Sequence, residues 1–274
     1  MTDRSGNAFH DFEKAGWERA AAYYGDAFGA LTAQTAQALL DAAALRAKAR
    51  VLDVACGPGF ITAAAAARGA KTTGLDFSPA MIAEARRRNP SLTFEDGDAE
   101  RLPFGDGTFD AVVMNFGMLH LARPERAIAE AHRVLVPGGR YAFTVWAGPD
   151  QAVGFGMVLR AIEGHGRTDI RLPEGPPFFQ FSNPDESRRA LEAAGFVNVS
   201  VETLPLTWSL ASPDAVFAAL SNGGVRTSAV LRAQTPDALE HIRSAVHHEV
   251  QRYSAGGRRF DVPMPAVLSA ATRL

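Results

Sequence analysis

The chain has 274 residues, 47% hydrophobic and 21% charged, so it can bury a substantial core and disorder is not expected. A net charge of −2, with Lys and Arg scattered among acids, weighs against a phosphate-backbone partner, and no nucleic acid is expected. The single cysteine, Cys56, excludes an internal disulfide and a thiolate zinc site. No stretch nears the roughly 20 apolar residues of a bilayer span. Residues 1–7 are polar and lack the apolar centre of a secretory signal, so a cytoplasmic setting without membrane contact is expected.

Residues 8–48 are rich in alanine, with Leu31, Thr35, Ala38 and Leu39 at three- and four-residue spacing, and read as helices. The apolar run 50–54 ends in Cys56-Gly57-Pro58-Gly59, a strand entering a glycine turn. A helix over 61–68, a strand over 71–75 and a helix opened by Ser78 as N-cap and Pro79 follow. Strands are predicted at 92–95 and 109–114. A helix over 124–135, stopped by Pro137-Gly138-Gly139, leads to a strand at 140–146. This alternation predicts a parallel sheet with helices on both faces.

Past Trp146 the pattern changes. Residues 148–181, rich in Gly, Pro and Phe, read as irregular. An amphipathic helix over 183–194 is stopped by Gly195. Residues 196–206 alternate like a strand, 213–254 look helical, and 265–271 form a last strand. The reading is one domain over 1–274. It comprises N-terminal helices (8–48), a ligand-binding core (49–147), helical lid insertions (148–182 and 212–258) and the end of the sheet (183–211 and 259–274).

The chemistry concentrates at the predicted strand ends, where parallel sheets bind ligands. Gly57 and Gly59 let the backbone approach a ligand and take positive φ. Asp76 ends the second strand, where a carboxylate can accept from both hydroxyls of a ribose. Asp98, just past the third, can accept from an adenine amino group while the N–H of Ala99 faces a ring nitrogen. Asn115-Phe116-Gly117 follows the fourth, where a backbone carbonyl can hold an ammonium. Taken singly, each is an ordinary turn or surface acid; together and in order, they suit an adenosyl-amino acid. A nicotinamide dinucleotide fold is the competitor, but its usual third glycine is replaced by Thr62.

The segment from Val51 to Trp146 resembles class I S-adenosylmethionine-dependent methyltransferases, especially the branch of ubiquinone and menaquinone biosynthesis. The resemblance is carried by Val51-Leu52-Asp53-Val54-Ala55-Cys56-Gly57-Pro58-Gly59, Gly74-Leu75-Asp76-Phe77-Ser78-Pro79-Ala80-Met81 and Gly97-Asp98-Ala99-Glu100-Arg101-Leu102-Pro103-Phe104. Phe109-Asp110-Ala111-Val112-Val113 and the run from Glu130 to Gly139 complete it. It implies a Rossmann-like, seven-stranded, mostly parallel sheet with an antiparallel last strand. It also implies S-adenosylmethionine as cofactor. Asp53 with the loop at Ala55 and Gly57 would hold the methionine part, Asp76 with Phe77 and Met81 the ribose and adenine, and Asp98 and Ala99 the adenine edge.

Methyl transfer is an in-line displacement, so alignment and water exclusion are the protein's main tasks. No metal is required, and no metal-ligand cluster is evident. His120, near the predicted active edge, is the candidate base; its alternative is a histidine that packs or caps. The expected acceptor is a small apolar or aromatic molecule, against Phe155, Met157, Phe178, Phe179, Phe181, Phe217 and Leu220 from the insertions. Phe12, Trp17 and Tyr24 would come from the N-terminal helices. A cofactor-binding protein without transferase activity, and a protein or RNA methyltransferase, are the other readings; an open cleft would favour a macromolecular acceptor.

Overall fold

The apolar runs of the first half pair as a parallel sheet in the computed structural model of the chain, which describes residues 4–274. Helix α1 (Arg4–Tyr24) passes through a π turn (Gly25–Gly29), α2 (Ala30–Thr32) and a tight turn (Ala33–Thr35) into α3 (Ala36–Ala42). Then come β1 (Arg50–Val54), α4 (Phe60–Ala67), β2 (Lys71–Asp76), α5 (Pro79–Arg88), β3 (Thr93–Asp96), β4 (Phe109–Asn115), α6 (Pro124–Val134) and β5 (Leu135–Trp146). The remainder is α7 (Val153–His165), α8 (Pro184–Ala193), β6 (Phe196–Leu204), β7 (Thr207–Leu210), α9 (Ala215–Asn222), α10 (Arg226–Arg232), α11 (Pro236–Val250), β8 (Phe260–Pro263) and β9 (Ala266–Arg273).

The main sheet has seven strands in the order β3-β2-β1-β4-β5-β9-β6. Neighbours among β1 to β5 pair parallel, and β9 runs antiparallel between β5 and β6. This is the Rossmann-like arrangement with an antiparallel last strand that the resemblance implies. Both faces are covered. Leu52 and Val54 of β1 belong to one buried cluster, with Val112, Phe143 and Ile128. Val51 belongs to the other, with Leu40, Ile61 and Ala65. Alternate residues of one strand thus feed opposite cores, as the pleat requires.

Two expectations need correction, and the helical reading of 213–254 holds with more detail. The zone 148–181 is not irregular throughout, because it contains α7. Gly154 and Gly156 there are packing residues: an added Cβ would lie 2.8 Å from Met264 Sδ and 2.1 Å from the Pro149 carbonyl oxygen, respectively. Pro137-Gly138-Gly139 lies inside β5, which starts at Leu135; Gly138 takes φ +78°, and the β4–β5 register shifts between Phe109 and Ala111. The helical zone 213–254 is three helices. One break falls at Gly223 and Gly224, the other just before Pro236. In addition, β7 and β8 form a separate two-stranded sheet, which places Trp208 against Phe28 at 5.1 Å between ring centroids.

Candidate active site

The tips of β1 and β2 each carry a buried carboxylate, set by different neighbours. Asp53 accepts from the Thr62 hydroxyl at 2.6 Å through Oδ2, while Oδ1 is buried with no hydrogen-bond partner among the described residues. Burial pushes its pKa up to about 7, against the hydrogen bonds from Thr62 and with a small push from Asp76. Asp76 accepts the N–H of Gly57 on Oδ2 and that of Ser78 on Oδ1, both at 2.9 Å. Burial raises its pKa to about 6 in spite of those bonds. Each of its oxygens keeps accepting capacity for a further donor.

The loops that follow are bent for close approach. Ala55 (φ +53°), Gly57 (φ +50°) and Phe116 (φ +55°) occupy the left-handed region immediately beyond β1 and β4. Such conformations in non-glycine residues cost energy and cluster at functional sites. Gly59 (φ +82°) is different. It does not line the cleft, and an added Cβ would lie 2.9 Å from the Phe94 ring, so the turn and the packing demand it.

A cleft of about 860 Å³, counted to its mouth, is lined by ten of the expected cofactor residues: Asp53, Ala55, Gly57, Asp76, Phe77, Met81, Asp98, Ala99, Asn115 and Phe116. Asp98 caps its own loop through the N–H of Glu100 at 2.8 Å. The side chain of Asn115 is held by other elements. It accepts from Thr35 and Thr144 hydroxyls at 2.7 and 2.6 Å and donates to the Thr32 carbonyl, tying the tip of β4 to the N-terminal segment. Cys56 also lines the cleft, and burial drives its thiol pKa upward, so it is no thiolate nucleophile.

A second pocket of about 470 Å³, counted to its mouth, adjoins the cleft and shares Trp17, Tyr24, Thr32, Phe116 and His120 with it. Its other walls include Phe28, Trp146, Phe155, Phe178, Leu220 and Arg226. Phe116 stacks on Trp146 with centroids 4.0 Å apart, giving the chamber a flat aromatic floor. Of the residues expected around an acceptor, Trp17, Tyr24, Phe155, Phe178 and Leu220 line this chamber. Phe179 lies on an adjoining outer groove, Met157 and Phe181 are buried in the core, and Phe217 packs against the core.

His120 stands on the wall common to both spaces. It follows β4 in a short helical turn (Met118–His120), and its ring meets Trp17 edge-on at 4.7 Å. Nδ1 lies 2.9 Å from Oε2 of Glu13, a residue of α1 with no solvent exposure. Oε1 of Glu13 accepts from Arg226 Nε at 2.8 Å. Sequence reasoning missed Glu13, Arg226, Phe28, Thr32 and Trp146, all distant in sequence from His120.

The donor set fits S-adenosylmethionine on an observation of this structure. Asp53 Oδ1 is an orphaned buried acceptor, and Asp53, Asp76 and Asp98 surround a cleft that would welcome a ligand with two cationic centres. The fold and these strand-tip carboxylates define a class I, S-adenosylmethionine-dependent methyltransferase. Residues 52–143 match the family model described as a methyltransferase domain. The chain is 36% identical over 191 residues to the demethylmenaquinone methyltransferase of Thermus thermophilus, covering 63% of this chain and 84% of that enzyme. It thus belongs to the class I methyltransferase family that includes the demethylmenaquinone methyltransferases. A relative of the same name from Beutenbergia cavernae is 43% identical over 116 residues, 42% of this chain and 48% of that one, so the chain spans about half the length of this relative.

Among solved structures, the YcgJ protein of Bacillus subtilis superposes with a TM-score of 0.59 at 17% identity, over 88% of this chain and 99% of that one. Phosphoethanolamine N-methyltransferase 2 of Haemonchus contortus, bound to phosphomonomethylethanolamine and S-adenosylhomocysteine, gives 0.58 at 18% identity, over 97% of this chain and 60% of that one. At these identities the likeness is one of fold.

Proposed function

We propose that the chain transfers a methyl group to a small aromatic acceptor bearing a ring hydroxyl, held in the chamber beside the cofactor cleft, with His120 as the base. The observation that carries this reading is the position of His120 on the shared wall, with Nδ1 engaged by Glu13. A proton on Nδ1, donated to the Glu13 carboxylate, leaves the Nε2 lone pair as the acceptor.

The methionine carboxylate and ammonium would be held around Asp53, Ala55 and Gly57, the ribose by Asp76, and the adenine by Phe77, Met81, Asp98 and Ala99. Bound S-adenosylmethionine supplies a methyl group activated by its sulfonium. The chain's own work is orientation. The Phe116–Trp146 floor and the ring of Phe178 suit a planar acceptor, and the chamber confines it next to the cleft. His120 takes the hydroxyl proton, raising electron density on the oxygen and on the ring carbons conjugated with it. Closure of the chamber by aromatic side chains keeps competing water away.

The chamber roof contributed by α1 favours a small acceptor over a protein or RNA. The relatives' name points the same way: demethylmenaquinone is a quinone, and its reduced ring carries hydroxyls. The test is release of S-adenosylhomocysteine from purified protein given naphthols, naphthohydroquinones and catechols, with aliphatic amines as the contrast. Turnover with ring hydroxyls is expected. His120→Gln should lower kcat about 10²–10⁴-fold while calorimetric affinity for S-adenosylhomocysteine stays within threefold. Turnover confined to amines, or indifferent to His120, would defeat the reading.

A further inference from the structure

Helix α1 turns one stripe toward the site: His10, Glu13, Trp17 and Tyr24, at helical spacing. Three of these, His10, Trp17 and Tyr24, line the cofactor cleft, so α1 forms part of its wall. The grips that hold α1 down fall on site residues. Ser78, beside Asp76, donates its hydroxyl to Glu18 Oε1 at 2.9 Å; His10 Nε2, with no hydrogen-bond partner among the described residues, faces Asp98 Oδ2 at 3.8 Å. Gly16 seats α1 against Val225, the residue leading into α10, so closely that an added Cβ would lie 2.3 Å from its Cγ1. The helix then ends in the π turn Gly25–Gly29, an interruption of the regular ladder of the kind found at functional sites.

Glu13 is the buried charge in this stripe, divided between His120 and Arg226. Arg226 also donates to the carbonyls of Pro176 and Leu119, at 2.8 and 2.7 Å, and its guanidinium covers the Phe9 ring at 4.5 Å. It therefore grips α1, the 166–179 segment and the His120 turn at once. A buried carboxylate is tolerated only when such partners are in place.

We propose that α1 is the closing lid of the site and delivers one half of the base pair: Glu13 meets His120 only with α1 down, and Arg226 is the latch that selects this position. Glu13 and Arg226 are then positioning residues. Deprotonation of the acceptor is thereby coupled to closure, and an open site holds no oriented base. The inference rests on the reading of His120 as the base.

The test needs no acceptor. The titratable and charged side chains that share the two cavities with His120 are His10, Tyr24, Asp53, Cys56, Asp76, Asp98 and Arg226, with Glu13 behind it. Nitrogen-15 histidine spectra of the full chain with S-adenosylhomocysteine should show neutral His120 protonated on Nδ1. Glu13→Met should abolish the Nδ1 preference of the neutral His120 ring, and Arg226→Met should speed α1 amide exchange in the S-adenosylhomocysteine complex at least tenfold. Loss of the carboxylate removes the acceptor of the Nδ1 proton, whereas loss of the guanidinium frees the helix from the His120 turn. Amides of α1 in the wild-type chain should exchange at least tenfold more slowly once S-adenosylhomocysteine is added. An Nε2-protonated ring in the wild-type chain, a tautomer indifferent to Glu13→Met, or α1 exchange indifferent to the ligand or to Arg226→Met would overturn the proposal. The tautomer and the exchange are read on the wild-type chain, so variants that fail to fold do not block the decision. A His120→Gln enzyme that retains turnover instead defeats the base reading, and shows itself in the activity assay alone.

Discussion

Burial of Asp53 with an unpartnered Oδ1 disfavours its charged form, which is why its pKa rises from an ordinary 3.8 to about 7. The folded protein therefore holds a proton that the unfolded chain releases between these values. By linkage, the stability of the unliganded chain falls as pH rises from about 4 to 7, as far as this residue is concerned. A cationic or donor group of the cofactor reverses the balance, because it favours the carboxylate. Binding of S-adenosylhomocysteine near pH 6.5 should therefore release protons, visible as a buffer-dependent heat in calorimetry, and the release should fade above pH 8. Asp53→Asn should raise Tm at pH 8 by a few degrees, about 2–4 °C for each kcal/mol recovered, yet weaken ligand binding at least about tenfold. A variant with unchanged affinity would show that Oδ1 is not a ligand contact. The strand-tip acids were legible because each lies within a few residues of the turn that uses it. Glu13 was not. Its partners are 107 and 213 residues away, and its sequence signal was the i, i+4 spacing to Trp17.

At the scale of elements, the seat of α1 on Val225, the residue leading into α10, depends on the absent side chain of Gly16. Gly16→Ala forces the two helices apart or displaces Val225, a strain of about 1–3 kcal/mol for overpacking. The separation falls one turn from Glu13, so kcat should drop by at least tenfold while Tm falls by only a few degrees. Val225→Ala in the same chain should restore much of the rate by making room. Failure of that second substitution to rescue would mean that the lid's position is set elsewhere. The same physics explains what the sequence concealed. Gly154 and Gly156 made α7 look irregular, although close packing requires them. The β7–β8 pair joins segments about fifty residues apart, and no local periodicity announces such a pairing. By contrast, β1 to β5 and α4 to α6 were legible because each buries a continuous or periodic face of its own.

The whole molecule places its site where the sheet order reverses, at the crevice between the tips of β1 and β4. The first half supplies the strand tips, and chain segments far apart in sequence close over them. α1, the 166–179 segment and α10 meet at Arg226, while β7 and β8 carry Trp208 onto Phe28 beside the chamber. Such interlocking argues for one cooperative domain over the described residues, as the organisation read from the sequence proposes. The three tryptophans test it, because Trp17 lies on α1, Trp146 ends β5 and Trp208 sits on β7. Thermal unfolding followed by tryptophan fluorescence and by far-ultraviolet ellipticity should give coincident midpoints. At 100 times its Kd, S-adenosylhomocysteine adds about 2.7 kcal/mol, so both midpoints should rise together by about 5–8 °C. A fluorescence transition that precedes the loss of ellipticity would instead make the cap a separately melting unit. In that case ligand should move the early transition most, because the cap contacts bound ligand while much of the sheet does not.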